Sequence, residues 1–487
     1  VLQVTTQIAL RRTKIIATLG PATDQPEVLR ELIKAGTDVV RVNFSHGAAE
    51  AQRARIERVR ELAAEVGRYV AIMGDLQGPK IRIESFASGS TTLQKGADFI
   101  LDTAMDPAAG DGSRVGVAYP ALVDDVRPGD ALLLDDGQIV LSVVEVVGTQ
   151  VLTRVEQGGV LSDKKGLNKM GGGLSAPALT DKDRADIRGA GELGLDFIAV
   201  SFARDAQDIN EARQLLREAG GDGLIVAKIE RAEAVTNIRE LIDAADVIMV
   251  ARGDLAVEVG YAEMTSLQKS IIRLTRERNK VTITATQMME SMIRSASPTR
   301  AEVSDVANAV MDGTDAVMLS AETAVGTFPV QAVATMSEIC RGAEKHENVT
   351  GRTNYRMDDV FTHVDEAIAM AVMYTANHLN VKAIVALTES GSTTLWMSRV
   401  RTDIPIYAFT RQEGTRRRVT IYRGVYPISF DITQTNPERV YQSVFNLLLQ
   451  RELVAEGDLV IFTKGDLKGV AGRTNAMKIL RAVSQRN

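Results

Sequence analysis

The chain has 487 residues, 45% of them hydrophobic and 25% charged, with a formal net charge of −6. That length suits about three domains, and the acidic balance argues against a general nucleic-acid binder, so any phosphate must be met by local positive charge. A single cysteine, Cys340, excludes an internal disulfide framework and fits a reducing compartment. No apolar run approaches the roughly 18 residues that span a bilayer, and the first residues show no secretory pattern, so no membrane association and a cytoplasmic location are expected.

Three apolar runs open the chain, at residues 13–19, 38–44 and 69–75. About 120 residues then separate the third run from the fourth, far more than an ordinary connection. Within that gap, residues 79–177 read as short alternating strands with turn signals at Arg127-Pro128-Gly129-Asp130 and Asp135-Asp136-Gly137, which predicts an inserted small β-barrel. The run Gly171 to Gly173 near its exit suits a hinge, although a plain loop is equally consistent.

Five further apolar runs follow, at 196–202, 224–230, 246–251, 281–286 and 316–320. Near-continuous Val/Ile/Ala runs separated by helical patterns suit parallel strands buried on both faces. Eight such units predict a (β/α)8 TIM barrel, with a doubly wound open sheet as the alternative. Residues 323–344 read as its last helix and 346–359 as a linker. Beyond it, strands at 381–387, 405–409, 425–430 and 458–462 alternate with helices at 365–379 and 437–451, giving an open α/β domain. The expected domains are therefore a barrel over 1–78 and 178–345, an inserted lid over 79–177, and a carboxy-terminal α/β domain over 346–487.

In a barrel of this kind the chemistry collects where the strands end. Lys228-Ile229-Glu230 and Arg252-Gly253-Asp254 lie at the fifth and sixth ends. Glu230 and Asp254 offer carboxylates to a hard cation such as Mg²⁺ or Mn²⁺, and Lys228 beside them adds charge for a group in transfer. Structural salt bridges at the rim are the alternative. Gly253 lets backbone amides approach an anion, and Thr286 and Ser320 supply hydroxyls near it.

Several segments together resemble the pyruvate kinase family over essentially the whole length. They are Thr13-Lys14-Ile15-Ile16-Ala17-Thr18-Leu19-Gly20-Pro21-Ala22-Thr23, Arg41-Val42-Asn43-Phe44-Ser45-His46-Gly47, Lys228-Ile229-Glu230, Ala251-Arg252-Gly253-Asp254-Leu255, Ala285-Thr286-Gln287-Met288-Met289-Glu290-Ser291-Met292 and Met318-Leu319-Ser320-Ala321-Glu322-Thr323. The resemblance implies transfer of the phosphoryl group of phosphoenolpyruvate to ADP, giving ATP and pyruvate, by a homotetramer with a mobile lid. It implies Glu230 and Asp254 as metal ligands and Lys228 as the residue that steadies the phosphoryl group. Arg41 and Ser201 then face the substrate phosphate, and Arg252, Gly253, Asp254 and Thr286 seat its carboxylate. Thr286 and Ser320 belong to the proton route, and Pro21, Asn43, His46, Arg82 and Lys165 to the nucleotide. His46 is also consistent with an ordinary polar loop residue. No Gly-x-x-x-x-Gly-Lys loop is present, so the nucleotide is not held in that manner.

One departure concerns potassium. Asn43, Ser45 and Asp75 match part of a monovalent-cation site, but Leu76 follows Asp75 and Lys80 stands where many relatives carry an acid. Leu76 offers no side-chain oxygen, and the Lys80 ammonium can replace a monovalent charge. The segment resembles a potassium-independent branch, so potassium is not expected to be required. Thr388, Ser390, Gly391, Ser392 and Thr393 form a hydroxyl-rich loop that suits either a phosphate cradle or a capping loop. The resemblance favours an allosteric effector there, and the absence of tryptophan from the 463–475 loop favours a sugar monophosphate or AMP. A magnesium-dependent lyase acting on a pyruvate enolate and a non-catalytic metabolite sensor are the rival readings.

Overall fold

The computed structural model describes residues 10–45, 47–350, 360–465 and 474–484. Eight strands, β1 (Lys14–Thr18), β2 (Val39–Asn43), β3 (Ala71–Asp75), β4 (Phe197–Val200), β5 (Leu224–Ile229), β6 (Val247–Ala251), β7 (Val281–Ala285) and β8 (Ala316–Leu319), close into a barrel in the order β1-β8-β7-β6-β5-β4-β3-β2. Each expected strand is present, trimmed at its ends. Ile15, Ile16 and Ala17 of β1 and all of Val247–Val250 are fully buried, as expected for parallel strands covered on both faces.

An aspartate precedes four of these strands, and each accepts an amide from the neighbouring strand. Asp38 takes the N–H of Ile15 at 2.9 Å, Asp196 that of Ile72 at 2.9 Å, Asp246 that of Ile225 at 2.8 Å and Asp315 that of Thr282 at 2.9 Å. Every one of them also meets an arginine: Arg11, Arg417, Arg213 and Arg399 in the same order. These acids satisfy strand amides at the incoming end of the barrel, where loss of a partner costs stability rather than chemistry.

The chain forms two compact units, one made of Val1–Gly74, Leu195–Phe197 and Thr275–Asn487, the other of Asp75–Gly194 and Ile198–Leu274. In the second unit the insertion folds as a six-stranded sheet, in the order Leu167–Lys169, Ala131–Leu134, Ile139–Val147, Gln150–Gln157, Asp98–Asp102 and Arg114–Gly116, with a two-stranded ribbon of Gly159–Ser162 and Ser90–Leu93. Phe99, Leu101, Val115, Leu132, Leu141 and Val151 fill its core. The Asp135-Asp136-Gly137 turn is a hairpin connection in which all three residues have positive φ, a conformation that Asp and Gly tolerate.

In the first unit the helix expected over 323–344 is two helices, Ala321–Ala324 and Pro329–Thr350. Pro329 has no N–H to continue a helix but suits the first position of a new one. The second helix runs into the first residues of the expected linker. Beyond it, β9 (Val381–Leu387), β10 (Ile406–Thr410), β11 (Val425–Ser429), β12 (Leu459–Gly465) and β13 (Thr474–Arg481) form a sheet in the order β11-β10-β9-β12-β13. Strand β13, which pairs antiparallel to β12, was not anticipated from the sequence. Among the described residues no helix is long and apolar enough to cross a membrane.

Candidate active site

In the second unit, Lys228 near the end of β5 and Glu230 just past it lie two residues apart, so the pleat points both to the same side. Lys228 Nζ donates to Ser201 Oγ at 2.7 Å and pairs with Glu230 Oε1 at 2.9 Å and Asp75 Oδ1 at 3.2 Å. Ser201 Oγ donates in turn to the Leu76 carbonyl at 2.7 Å. One buried ammonium therefore joins the ends of β3, β4 and β5. The Glu230 carboxylate is 2% exposed and accepts the Phe202 N–H on its other oxygen at 2.8 Å. Phe202 adopts φ +55° at that point, a conformation that a bulky residue avoids unless its surroundings impose it.

Burial pushes the Glu230 carboxyl above its usual range; Lys228 opposes that shift, and the nearby Asp254 and Asp75 add to it. A cation set among these acids lowers the cost of keeping them charged. Asp254 sits in the first turn of the helix Arg252–Val259, which begins directly after β6. Its Oδ1 lies 3.5 Å from Lys80 Nζ, and Lys80 is also 4.0 Å from Asp136. Arg252 extends to Gln268 Oε1 at 3.4 Å. The opening turn of that helix presents amides and the positive end of its dipole, which suits an anion.

Glu230 and Asp254 offer oxygen donors only, and Asp254 is near enough to perturb Glu230. Two carboxylates completed by substrate oxygens and water fit a hard divalent cation. Among the described residues no group of three or more His, Cys, Asp or Glu side chains is placed to hold a metal by itself.

The insertion carries the two basic residues expected at the nucleotide. Arg82 is exposed and donates to the Lys164 carbonyl at 2.8 Å, while Lys165 pairs with Asp135 at 2.8 Å.

In the first unit, Thr286 follows β7 at φ +69° and Gln287 continues at φ +53°. A β-branched residue in the left-handed region is a true outlier and costs on the order of 1–3 kcal/mol. The Thr286 hydroxyl donates to the Ala285 carbonyl at 2.6 Å. Buried Glu322 braces this region, accepting the Met289 N–H at 3.1 Å and the Ser320 N–H at 2.7 Å. Arg41 on β2 reaches Thr18 Oγ1 at 3.2 Å. Asn43 Oδ1 accepts the Ser45 N–H at 3.0 Å, an Asx turn that occupies one of the oxygens assigned to a monovalent cation. Pro21 opens a short 3-10 helix, Pro21–Thr23, and His46 lies outside the described residues.

In the hydroxyl-rich loop, Thr388 Oγ1 accepts the Gly391 N–H at 2.9 Å. Gly391 has φ +85°, and a Cβ there would lie 2.7 Å from Val419, so a side chain is excluded on both counts. Thr393 Oγ1 meets Thr474 Oγ1 at 2.7 Å, and Ser390 meets Ser392 at 3.2 Å. The helix Ser392–Ser398 follows directly, with Gly391 at its N-cap.

Residues 10–333 match the model of the pyruvate kinase barrel domain, and residues 366–480 match that of the pyruvate kinase alpha/beta domain. The chain belongs to the pyruvate kinase family. A relative named pyruvate kinase II, from Salmonella typhimurium, is 53% identical over 475 residues, covering 97% of this chain and 98% of that protein. A pyruvate kinase from Haemophilus influenzae is 50% identical over 460 residues, covering 94% and 96%. Among solved structures, a pyruvate kinase from Cryptosporidium parvum superposes with a TM-score of 0.90 at 34% identity, covering 97% of this chain and 96% of that one. The chain is accordingly a phosphotransferase of this family.

Glu322 went unread in the sequence. It lies inside a family-like segment but looks there like any helix-start acid. Asp75, read in the sequence as part of a monovalent-cation site, has Lys228 and Ser201 among its contacts.

Proposed function

We propose that this protein transfers the phosphoryl group of phosphoenolpyruvate to ADP, releasing ATP and pyruvate. The buried Lys228 ammonium, held by Asp75, Glu230 and Ser201 at the strand ends, carries the reading. A phosphoryl group in flight spreads negative charge over its oxygens, and a fixed positive group in a water-poor site stabilises that charge at little reorganisation cost. Asp75, Glu230 and Ser201 fix the ammonium in position before substrate arrives.

Glu230 and Asp254 are the residues to hold Mg²⁺ or Mn²⁺, which when bound neutralises phosphate charge and orients phosphate oxygens. Arg41 and Ser201 serve the substrate phosphate. The amides of the Arg252–Val259 helix start, with Gly253 at its opening, and Thr286 serve its carboxylate. Thr286 and Ser320, the latter held by Glu322, belong with ordered water to the route by which a proton reaches the enolate. The imposed left-handed backbone at Thr286 supports a functional role, because strain of that kind persists where a site requires it.

Pro21, Asn43 and His46 in the barrel, with Arg82 and Lys165 in the insertion, receive ADP. Closure of the insertion brings the last two to the phosphates and keeps out water that would hydrolyse the transferring group. Potassium is not required, since Leu76 lacks an oxygen and Lys80 supplies a charge. A phosphorylated sugar or AMP acts at Thr388–Thr393, the protein is a homotetramer, and it works in the cytoplasm. Purified protein mixed with phosphoenolpyruvate, ADP and magnesium is expected to form pyruvate in a coupled spectrophotometric assay. Absence of pyruvate at millimolar substrate refutes the reading.

A further inference from the structure

We propose that Arg231, Glu233 and Glu258 form a latch on the returning connection of the insertion, residues 168–174, and act as positioning residues for the nucleotide. This rests on the function proposed above. The latch is built within one compact unit, from contacts that range from the buried Arg231–Leu174 bond to the exposed Gly173–Glu233 bond. Glu258 is 4% exposed and uses both oxygens: Oε1 accepts Asn168 Nδ2 at 3.3 Å, and Oε2 accepts the Ala232 N–H at 3.0 Å. Its backbone carbonyl accepts the Gly171 N–H at 2.9 Å.

Asn168 is three residues beyond Lys165, and Ala232 is two residues beyond Glu230. One carboxylate therefore ties the strand that directly follows a proposed nucleotide lysine to the loop that carries a proposed metal acid. Glu233 adds a second tie. Its Oε1 accepts the Gly173 N–H at 2.5 Å and the Arg231 guanidinium at 3.1 Å, and Arg231 also donates to the Leu174 carbonyl at 2.5 Å.

Backbone conformation favours glycine at all three positions, and the contact with Glu233 adds a reason at Gly172. Gly171, Gly172 and Gly173 all have positive φ, and a Cβ on Gly172 would lie 2.6–2.8 Å from the Glu233 carboxylate. A side chain at Gly172 would therefore push the Glu233 carboxylate from its present place. Beside it lies a cavity of about 30 Å³ lined by Pro79, Lys80 and Ile81 of the outgoing connection and Asn168, Arg231 and Glu258 of the latch. Asn168 and Lys169 also pair with Leu133 and Leu132, and the Met170 N–H reaches the Ala131 carbonyl, so the connection is tied to the insertion's sheet at one end and to the latch at the other, as a lid hinge needs.

The test uses full-length Glu233→Ala, Glu258→Ala and the conservative Glu233→Gln, whose amide oxygen can still accept the Gly173 N–H. The alanine variants are expected to raise the KM for ADP at least fivefold with the KM for phosphoenolpyruvate within twofold of wild type, while Glu233→Gln stays near wild type. Hydrogen exchange read by mass spectrometry should speed up at the amides of residues 171–174 in both alanine variants, whether or not the protein makes pyruvate. Unchanged exchange there overturns the latch. Faster exchange with an unchanged KM for ADP, or with both KM values raised equally, overturns the positioning role. A wild-type protein without activity refutes the proposed function instead and leaves the exchange result standing.

Discussion

Replacing Lys228 with methionine keeps the length of the side chain and removes its charge. In the native arrangement the ammonium's partners include Ser201, Glu230 and Asp75, at 2.7, 2.9 and 3.2 Å, and the last two are carboxylates that are 1–2% exposed. Without it, Asp75 and Glu230 face each other as buried like charges. Breaking a buried pair by removing one partner costs about 3–5 kcal/mol of stability. Loss of a preorganised charge aimed at a transition state costs about 3–4 kcal/mol of barrier, on the order of a thousandfold in turnover. The coupled pyruvate assay and urea unfolding read the two effects separately. Lys228→Arg distinguishes charge from position, because a guanidinium restores the charge but its planar fork cannot reproduce the three contacts of an ammonium. Its stability should recover more than its turnover. If Lys228→Met keeps turnover near that of the wild type, the charge-stabilising role is wrong, whatever happens to stability.

Thr286→Gly is expected to gain about 1 kcal/mol of stability, as relief of the left-handed strain outweighs the entropy of glycine, while turnover falls about a hundredfold; thermal melts that show no gain refute the strain argument. Arg399→Met removes both guanidinium contacts from the fully buried Asp315 and should cost about 3–5 kcal/mol, so an unchanged urea midpoint overturns that pairing. Burial pushes the Glu258 carboxyl up from 4.5 to about 6, so the folded chain holds a proton between those values that the unfolded chain has released. Stability linked to this group is therefore fully present below about pH 4.5, falls as pH rises through 6, and is lower by about 2 kcal/mol at neutral pH; urea midpoints of Glu258→Gln at pH 5 and 7 should lack that component. Activity in buffer free of potassium and ammonium is expected to match activity with potassium, and a fall to a small fraction refutes the role given to Lys80.

The barrel was legible because its strands are covered on both faces, which leaves uninterrupted apolar runs such as Ile15, Ile16 and Ala17. Strand β13 was not, because it is a mostly exposed edge strand whose lysine and arginine read as loop. The break before Pro329 carried a usable signal, since proline favours the first helical turn, but the apolar pattern on either side masked it. Lys228 and Glu230 were readable as a pair because a period of two joins them locally. Glu233, Glu258 and Glu322 were not, because each accepts an amide brought from another part of the chain: Gly173 is 60 residues from Glu233, Asn168 is 90 from Glu258 and Met289 is 33 from Glu322. An acceptor whose donor arrives only after folding leaves no local pattern.

Acidic residues stand at both ends of the barrel strands, and their partners separate structure from chemistry. Asp38, Asp196, Asp246 and Asp315 spend their oxygens on amides of the adjacent strand and on arginines, so they are satisfied before any ligand arrives. Asp75 and Glu230 instead converge on a single ammonium, and burial pushes Glu230 upward with Asp254 adding to the shift. Concentrating like charges in this way costs stability, and a fold that needed only closure would have spread them out. Under the proposed function that cost is offset when cation and phosphate enter together, one neutralising the acids and the other the lysine. The same acids then predict an asymmetry: Asp315→Asn should lower the urea midpoint and leave the KM values unchanged, whereas Asp75→Asn should lower turnover with a smaller loss of stability. Equal effects of the two substitutions on turnover would show that the two rims do not differ in this way.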